Sequence, residues 1–318
     1  MKTNISLSDL KGVTEVKRKK GIVYYINRDK YLYLLLLLPI LYFFIFKYIP
    51  MYGVIIAFKD YNLFQGIFGS KWIGFSAFKE VFAMNDFFRV VRNTLILNFL
   101  DLIFGFPAPI ILALILSEIK YMWFKKSAQT ILYLPHFLSW VIIGGIAYQL
   151  LSQNGFINNS LKAMGLAPIP FLTEKWHWLF TYVGIGVWQN AGWGTIIYLA
   201  AIAGINRELY DAADVDGAGR LRKIWHITLP GIKPTIIILL ILSLGRMVSI
   251  GFERPYVIGN PLVSDFSEVI STFVYRIGLQ SGNFTQATAV GLFQSVVSLM
   301  FLLTTNYIAE KSGESGIW

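Results

Sequence analysis

The chain has 318 residues, of which 55% are hydrophobic, 16% aromatic and only 14% charged, with a mean hydropathy of +0.57. Because soluble domains carry about 25% charged residues, this composition excludes an ordinary soluble domain and predicts an integral membrane protein. The chain contains no cysteine, which excludes a disulfide framework, a thiolate metal site and a cysteine nucleophile.

Six apolar runs are long enough to cross a hydrocarbon core of about 30 Å as helices. They are residues 31–46 (extendable to 58), 94–116, 130–151, 178–203, 232–250 and 287–309. We expect the first run to be a membrane span and not a signal peptide, because thirty residues precede it and no small-residue cleavage pattern follows it. Continuous runs predict an all-α bundle of six transmembrane helices, whereas a β-barrel shows short alternating segments.

The basic residues predict the orientation of these helices. Of the 28 lysines and arginines, 17 fall in the tails and loops of one side and ten in the loops of the other. By the positive-inside rule, both termini face the cytoplasm of a multi-pass cell-membrane protein. The net charge of +10 then reflects topology and contact with anionic lipid. No soluble basic domain with base-stacking aromatics is evident, so nucleic acid is not an expected partner.

A charged segment, "DAADVDGAGRLRKIWHITLP" (211–230), separates the fourth and fifth runs. Asn206 is placed to cap a helix whose first turn carries Glu208, and Gly217 permits a tight turn. A second short helix follows, and Pro230 is expected to begin the fifth membrane helix. This pattern fits a helix-turn-helix that docks on a cytoplasmic partner, and equally a helix anchored in headgroups by Trp225.

The spacing within this segment resembles the EAA loop of type I ABC importer permeases. The matching positions are Asp211, Ala212, Ala213, Gly217, Ile227, Leu229 and Pro230. In that family the loop forms coupling helices that sit in a groove of the ATPase subunit, so the resemblance implies an ATPase-coupling loop at about 204–230. Asp211 stands where the family has glutamate, and Glu208 on the same helical face is an alternative charge.

Further stretches in the same order resemble sugar-importer permeases of the lipoprotein-associated polysaccharide subgroup. They are "YIPMYGVIIAFKDYN" (48–62), "RNTL" (92–95), "YLPHFLSW" (133–140), "GFINNSLKAMGL" (155–166), "VYRIGLQ" (274–280) and "ATAVGLFQS" (287–295). The resemblance implies the type I ABC importer fold and import of an oligosaccharide. The partners it implies are a second homologous permease, two ATP-binding subunits and an extracytoplasmic sugar-binding lipoprotein.

The chain has no nucleotide-binding motif of its own. No G-x-x-x-x-G-K-[ST] stretch occurs, and "GIFGSKW" (66–72) has the wrong spacing. We therefore expect no bound cofactor and no metal site in this chain, with ATP and Mg²⁺ used by separate ATPase subunits. We find no paired nucleophile and base, so an enzyme is not expected.

Two other transport functions stay open. One is a secondary transporter driven by an ion gradient, which should have more intramembrane carboxylates and broken helices. The other is an ABC permease for a non-sugar solute, because such importers also carry the loop.

Polar residues within the apolar runs are the candidates for the substrate pathway. They are Asn98, Asp101, Gln189, Asn190 and Trp193. Gln189 and Trp193 are one turn apart, which predicts an amide and an indole on one face of the fourth helix, a suitable sugar surface. The alternative is that Trp193 packs the bundle while Gly192 and Gly194 admit a neighbouring helix. Asp101 has the alternative role of structural partner to Arg246.

The predicted organisation has three parts. Residues 1–30 form a basic cytoplasmic tail, 31–309 the transmembrane permease domain and 310–318 a cytoplasmic C-terminal tail.

Overall fold

The computed structural model describes Tyr24 and residues 28–311, and this part of the chain is mostly helical. The predicted tails, 1–30 and 310–318, therefore lie largely outside the described residues. The helices, numbered along the chain, are α1 (Lys30–Phe43), α2 (Ile49–Met51), α3 (Gly66–Gly69), α4 (Ser76–Ala83), α5 (Asn85–Leu100), α6 (Pro107–Ser117), α7 (Met122–Tyr133), α8 (Trp140–Leu151), α9 (Phe156–Ala163), α10 (Lys175–Ala203), α11 (Arg207–Val215), α12 (Arg220–Lys223), α13 (Leu229–Gly245), α14 (Glu253–Ile258), α15 (Ser264–Ser267), α16 (Ile270–Tyr275) and α17 (Phe284–Lys311).

The chain divides into two compact units, Met1–Gly53 and Val54–Trp318. In the described part of the first unit, α1 and α2 are joined by a π turn, Phe44–Tyr48, and a 3₁₀ segment, Tyr52–Phe58, follows. In the second unit, β1 (Lys59–Asp60) and β2 (Lys71–Trp72) form a two-stranded antiparallel sheet in which Lys59 pairs with Trp72.

Four continuous helices in the described part are long and apolar enough to cross a membrane. They are Lys30–Phe58, Asn85–Ser117, Arg220–Gly245 and Phe284–Lys311. A bent pair, Met122–Phe137 with Trp140–Ala163, makes a fifth if it counts as one span. The predicted run 178–203 is observed as α10, an unbroken helix of 29 residues. Its many polar and glycine residues keep it below the hydropathy of the other spans.

Two of the predicted runs have different boundaries in the structure. The run 130–151 is not one straight helix, because the chain bends by 101° between Phe137 and Trp140. Pro135 lies in the 3₁₀ segment at this break, and Ser139 caps the helix that follows by accepting from Ile142 N at 3.4 Å. The run 232–250 is helical only to Gly245, where α13 ends.

Pro230 lies in the first turn of α13, which begins at Leu229, as predicted. Beyond the prediction, α13 is continuous with α12 through a π turn, Ile224–Thr228, so Arg220–Gly245 forms one span. Similar π turns precede Pro50 and Pro107, each ending two residues before its proline. A proline ring clashes with the carbonyl four residues earlier, and in each case that carbonyl belongs to the widened turn. These π turns allow the helices to continue past their prolines.

Four apolar clusters are found among the described residues of the second unit, and three of them join its long helices. Around Phe87, Val90 and Phe273, helix α5 packs against α16 and the start of α17. Around Trp178 and Tyr182, helix α10 packs against α5 and α14. The third cluster joins α6, α10 and α13 through Ala113, Tyr198 and Ile232. The last two clusters hold α10 against its neighbours, with its middle next to the cavity described below.

Candidate functional site

A cavity of about 1210 Å³ lies between the middle of α10, the junction of α5 with α6, and the end of α13 with the segment that follows it. Its polar lining residues are Asn98, Asp101, Asn190, Trp193, Tyr198, Ser243, Arg246, Ser249, Glu253 and Arg254. The π turn Asp101–Gly105 forms part of its wall. Such turns often occur at functional sites, because they present side chains and carbonyls that a regular helix would not.

Four of the five predicted pathway residues line this cavity: Asn98, Asp101, Asn190 and Trp193. Gln189 does not line the cavity, although it shares a helix face with Trp193: both contact residues 136–138, Gln189 at Leu138 and Trp193 at His136 and Phe137. Its side chain is only 6% exposed, its Nε2 donates to the Leu138 carbonyl at 3.4 Å, and its Oε1 accepts from Asn190 Nδ2 at 3.0 Å. Gln189 therefore orients Asn190.

Asp101 pairs with Arg254 and not with Arg246, the partner suggested from the sequence. Arg254 Nη1 donates to Asp101 Oδ2 at 2.7 Å and Nη2 to Oδ1 at 3.2 Å, a two-pronged contact. The Arg254 side chain is 11% exposed and the Asp101 side chain 30%. This pair joins the π turn of the second apolar run to the short helix α14.

The rest of the Arg254 side chain is enclosed by α10. Its Nη2 also donates to the Tyr182 carbonyl at 2.6 Å, and its guanidinium carbon lies 3.7 Å from the centre of the Tyr182 ring. A Cβ at Gly186 would overlap the guanidinium, so a larger residue there would displace Arg254 from these contacts. Sequence reasoning missed Arg254, because it lies after the fifth apolar run and 153 residues from its carboxylate partner.

Trp193 lies on the cavity wall with its indole parallel to the His136 ring. The ring centres are 4.6 Å apart at an angle of 4°, and 43% of Trp193 is exposed. The adjacent glycines serve packing: a Cβ at Gly192 would overlap the Leu132 carbonyl, and one at Gly194 would lie 2.9 Å from Pro109 Cβ. This stretch therefore has both of the roles considered from the sequence. Gly192 and Gly194 admit the neighbouring helices, and the Trp193 indole lines the cavity.

An ion-pair network lies at the start of α5. Arg89 Nη2 is 2.7 Å from Glu268 Oε2, and Arg276 Nε is 2.6 Å from Glu268 Oε1. Asp86 contacts both arginines, at 3.3 and 2.9 Å. The hydrogen bond that Arg276 donates to the Glu268 carboxylate raises the pKa of Arg276, so this guanidinium stays charged. The network fastens the α15–α16 segment to α5, and sequence spacing does not predict it because its members are up to 190 positions apart.

The charged hairpin, residues 204–230, has the predicted cap and turn. Asn206 Oδ1 accepts from Glu208 N at 3.1 Å, which caps α11. At the other end, Ala218 N donates to the Ala213 carbonyl at 2.8 Å and Gly217 N to the Asp214 carbonyl at 3.1 Å. With Gly217 at φ +70°, these two bonds form a Schellman motif, whose left-handed residue is normally glycine.

Side-chain bonds hold the two arms of the hairpin together. Lys223 Nζ lies 2.7 Å from Asp214 Oδ1, and the hydroxyls of Tyr210 and Thr228 are 2.9 Å apart. Thr228 is buried in the π turn at the base of α13. These bonds join α11 to the base of that helix.

The hairpin exposes apolar side chains, which the sequence interpretation had not emphasised. Val215 is 89% exposed, Leu221 73% and Trp225 67%. Of the residues matched to the EAA loop, Asp211, Ala212, Gly217 and Pro230 are exposed, whereas Ala213, Ile227 and Leu229 are half-buried; the alternative charge, Glu208, is exposed too. The Glu208 carboxylate accepts from Asn206 Nδ2 at 3.0 Å.

Long apolar helices around a polar cavity, with a rigid charged hairpin at the base of one of them, define a membrane transport subunit. Residues 81–311 match the family described as "Binding-protein-dependent transport system inner membrane component". The chain belongs to this family. It is therefore a multi-pass membrane permease of an importer that works with a substrate-binding protein.

Individual relatives are similar over nearly the whole chain. Protein LplB of Bacillus subtilis (strain 168) is 46% identical, with 92% of each chain covered. The polygalacturonan/rhamnogalacturonan transport system permease protein YteP of the same organism is 45% identical, covering 95% of this chain and 94% of the relative. Among solved structures, a chain of a bacterial alginate ABC transporter, crystallised with an alginate pentasaccharide-bound periplasmic protein, has a TM-score of 0.84 at 41% identity. The match covers 94% of this chain and all of that chain.

Proposed function

We propose that this permease imports an oligosaccharide derived from a polysaccharide, by alternating access driven by ATP hydrolysis in separate subunits. The observation that carries the proposal is the 45% identity, across nearly the full length of both chains, to a permease named for polygalacturonan and rhamnogalacturonan. The 41% identity to an alginate transporter chain supports it. The complete transporter contains a second, related permease, two ATPase subunits that bind ATP and Mg²⁺, and a sugar-binding protein outside the cell.

The chemistry of the cavity suits a sugar. The indole of Trp193 offers an apolar face against which the C–H face of a sugar ring packs. Asn98 Nδ2 donates to the Met247 carbonyl at 2.7 Å, and Asn190 Nδ2 to the Gly186 carbonyl at 3.1 Å. With the amide nitrogens held in this way, the amide oxygens of both residues are oriented as acceptors for hydroxyl groups.

The membrane topology in this proposal has six spans. Helix α10, at 29 residues, is long enough to cross the bilayer, and the bent pair α7–α8 contributes one span. The charge bias of the loops then places both termini and the hairpin in the cytoplasm.

The hairpin is the coupling element in this proposal. Its exposed apolar side chains Val215, Leu221 and Trp225 form a docking surface for the ATPase, since such side chains on a rigid hairpin mark an interaction site. The bond between Tyr210 and Thr228 carries ATPase movement into α13. The alternative, anchoring in headgroups by Trp225, gives the Schellman turn no role in coupling.

The proposal is tested with the complete transporter reconstituted in proteoliposomes. Uptake of the oligosaccharide should require ATP and the binding protein, and it should continue when ionophores collapse all ion gradients. Uptake that follows an imposed ion gradient without ATP would identify a secondary transporter. If the transporter carried a non-sugar solute and no oligosaccharide, the assignment to the permease family would stand but the proposed sugar substrate would be wrong.

The departure at Asp211 gives a second test. The side chain is exposed, and glutamate is one methylene longer, so we expect Asp211→Glu to retain uptake and ATPase stimulation within about twofold. Asp211→Ala is the matched variant that removes the charge. A loss in Asp211→Glu as large as in Asp211→Ala would show that the hairpin requires the shorter carboxylate.

A further inference from the structure

Four charged side chains line the cavity, and two of them neutralise each other. Asp101 and Arg254 form the two-pronged pair. Arg246 and Glu253 also line the cavity, and neither has an ion-pair partner within 4.0 Å in the part of the chain that the structure describes. The cavity therefore presents one free guanidinium and one free carboxylate.

Arg246 is held by its backbone and by one hydrogen bond. It is the C-cap residue of α13, where the negative end of the helix dipole favours a cation. Its Nε lies 3.4 Å from the Leu242 carbonyl, and its Nη1 and Nη2 groups contact no acceptor among the described residues. Four N–H donors in the fixed geometry of the guanidinium are thus left for a ligand.

Arg246 is exposed to the cavity at the end of a membrane-length helix. An ionisable side chain that lines a cavity of a membrane protein, with no carboxylate partner among the described residues, points to a function. Phe106, Ile197 and Leu239 line the same cavity. Lysine would supply the charge as a point, whereas the planar guanidinium matches the two oxygens of a carboxylate. The ligand group that this geometry fits best is therefore a carboxylate.

We propose that Arg246 binds the carboxylate of an acidic sugar residue and makes this permease selective for oligosaccharides that contain uronic acids. This inference rests on the proposed function, which supplies the sugar. Asn190 and Glu253 accept from the hydroxyl groups, and Trp193 packs against a ring face. Asp101 and Arg254 neutralise each other's charge, so this pair has a structural role.

The test compares an oligogalacturonide with the same oligosaccharide after reduction of its carboxyl groups, in the complete reconstituted transporter. Arg246→Gln should lower kcat/KM for uptake of the acidic substrate by about 10- to 100-fold, the range for losing a hydrogen-bonded charged contact, and should change uptake of the reduced substrate by less than about threefold. In Arg246→Lys, kcat/KM for uptake of the acidic substrate should lie between that of the wild-type transporter and that of Arg246→Gln. Because the binding protein is the same in every preparation, its own preference cancels in the comparison.

Lys120→Gln is the matched control, since it removes one exposed positive charge outside the cavity. It should leave both rates unchanged. An equal loss for both substrates in Arg246→Gln, with less second permease recovered on purification, would show that Arg246 pairs with a carboxylate of that subunit. Unchanged rates would show that Arg246 only caps α13. Either result refutes the inference.

The absence of cysteine from the chain allows a chemical rescue. In Arg246→Cys, modification with 2-aminoethyl methanethiosulfonate returns a positive charge and should raise uptake of the acidic substrate at least fivefold, whereas methyl methanethiosulfonate should not. The treated wild-type transporter corrects for cysteines in the other subunits. Equal effects of the two reagents would refute the inference alone, whereas uptake of neither oligosaccharide by the unmodified transporter would refute the proposed function as well.

Discussion

Replacing Gly217 tests whether the hairpin transmits force. Gly217 has φ +70°, and a Cβ built there meets no atom within 4 Å. A side chain would therefore not push the arms of the hairpin apart, and the whole cost comes from the backbone. For an L-residue in the left-handed region this cost is about 1–2 kcal/mol, and it is greater for a β-branched residue.

A cost of this size reduces the population of the Schellman turn relative to other turns by about 5- to 30-fold, since 1.4 kcal/mol is a factor of ten. We expect Gly217→Val to leave the permease inserted in the membrane. ATP hydrolysis should then no longer respond to sugar and binding protein, or the ATPase should detach during purification. Gly217→Asn should be the mildest change, because asparagine tolerates this conformation, and Gly217→Ala should be intermediate.

Gly219 provides a matched control in the same turn. Its backbone, at φ −68° and ψ 164°, is open to any residue, and a Cβ there also meets nothing within 4 Å. Gly219→Ala should keep stimulated hydrolysis and uptake. Full stimulation in Gly217→Val would refute the reasoning and favour the interpretation of the hairpin as an interfacial anchor.

Three further predictions follow from the cavity and the topology. Trp193→Ala should lower uptake by about 5- to 100-fold, equivalent to the 1–3 kcal/mol of a lost aromatic contact, with the amount of assembled complex unchanged; reduced assembly with full activity per complex would indicate a packing role. Asp101→Asn and Arg254→Gln should each destabilise the purified complex by about 3 kcal/mol, measured by thermal unfolding, and the double variant should cost less than their sum; additive losses would contradict a direct pair. A cysteine at Arg222 should react only with reagents that enter the cell and one at Lys162 with impermeant reagents; labelling of position 222 from outside intact cells would overturn the orientation.

Local chemistry in the sequence was sufficient to predict the hairpin turn and its cap. Asn206 caps α11, and Gly217 takes the left-handed conformation, because both depend on bonds between residues close in the chain. Composition and run length were likewise sufficient for the membrane class, since the thickness of the bilayer limits how a helix crosses it. The family resemblance rested on the order of short motifs, and the match to residues 81–311 confirms it.

Only the tertiary structure showed which polar groups meet. Asp101 was identified as a candidate, but its partner is Arg254 and not Arg246, because the choice depends on how α14 folds back against α10. Gln189 was expected in the cavity and is buried against Leu138, since helical spacing predicts which residues share a face and not which neighbour that face meets. The Gln189–Leu138 contact joins positions 51 apart in the chain, and the Asp101–Arg254 contact joins positions 153 apart. Such contacts depend on helix packing, which local periodicity does not encode. The free guanidinium of Arg246 became recognisable only when the structure had assigned the carboxylate of Asp101 to another arginine.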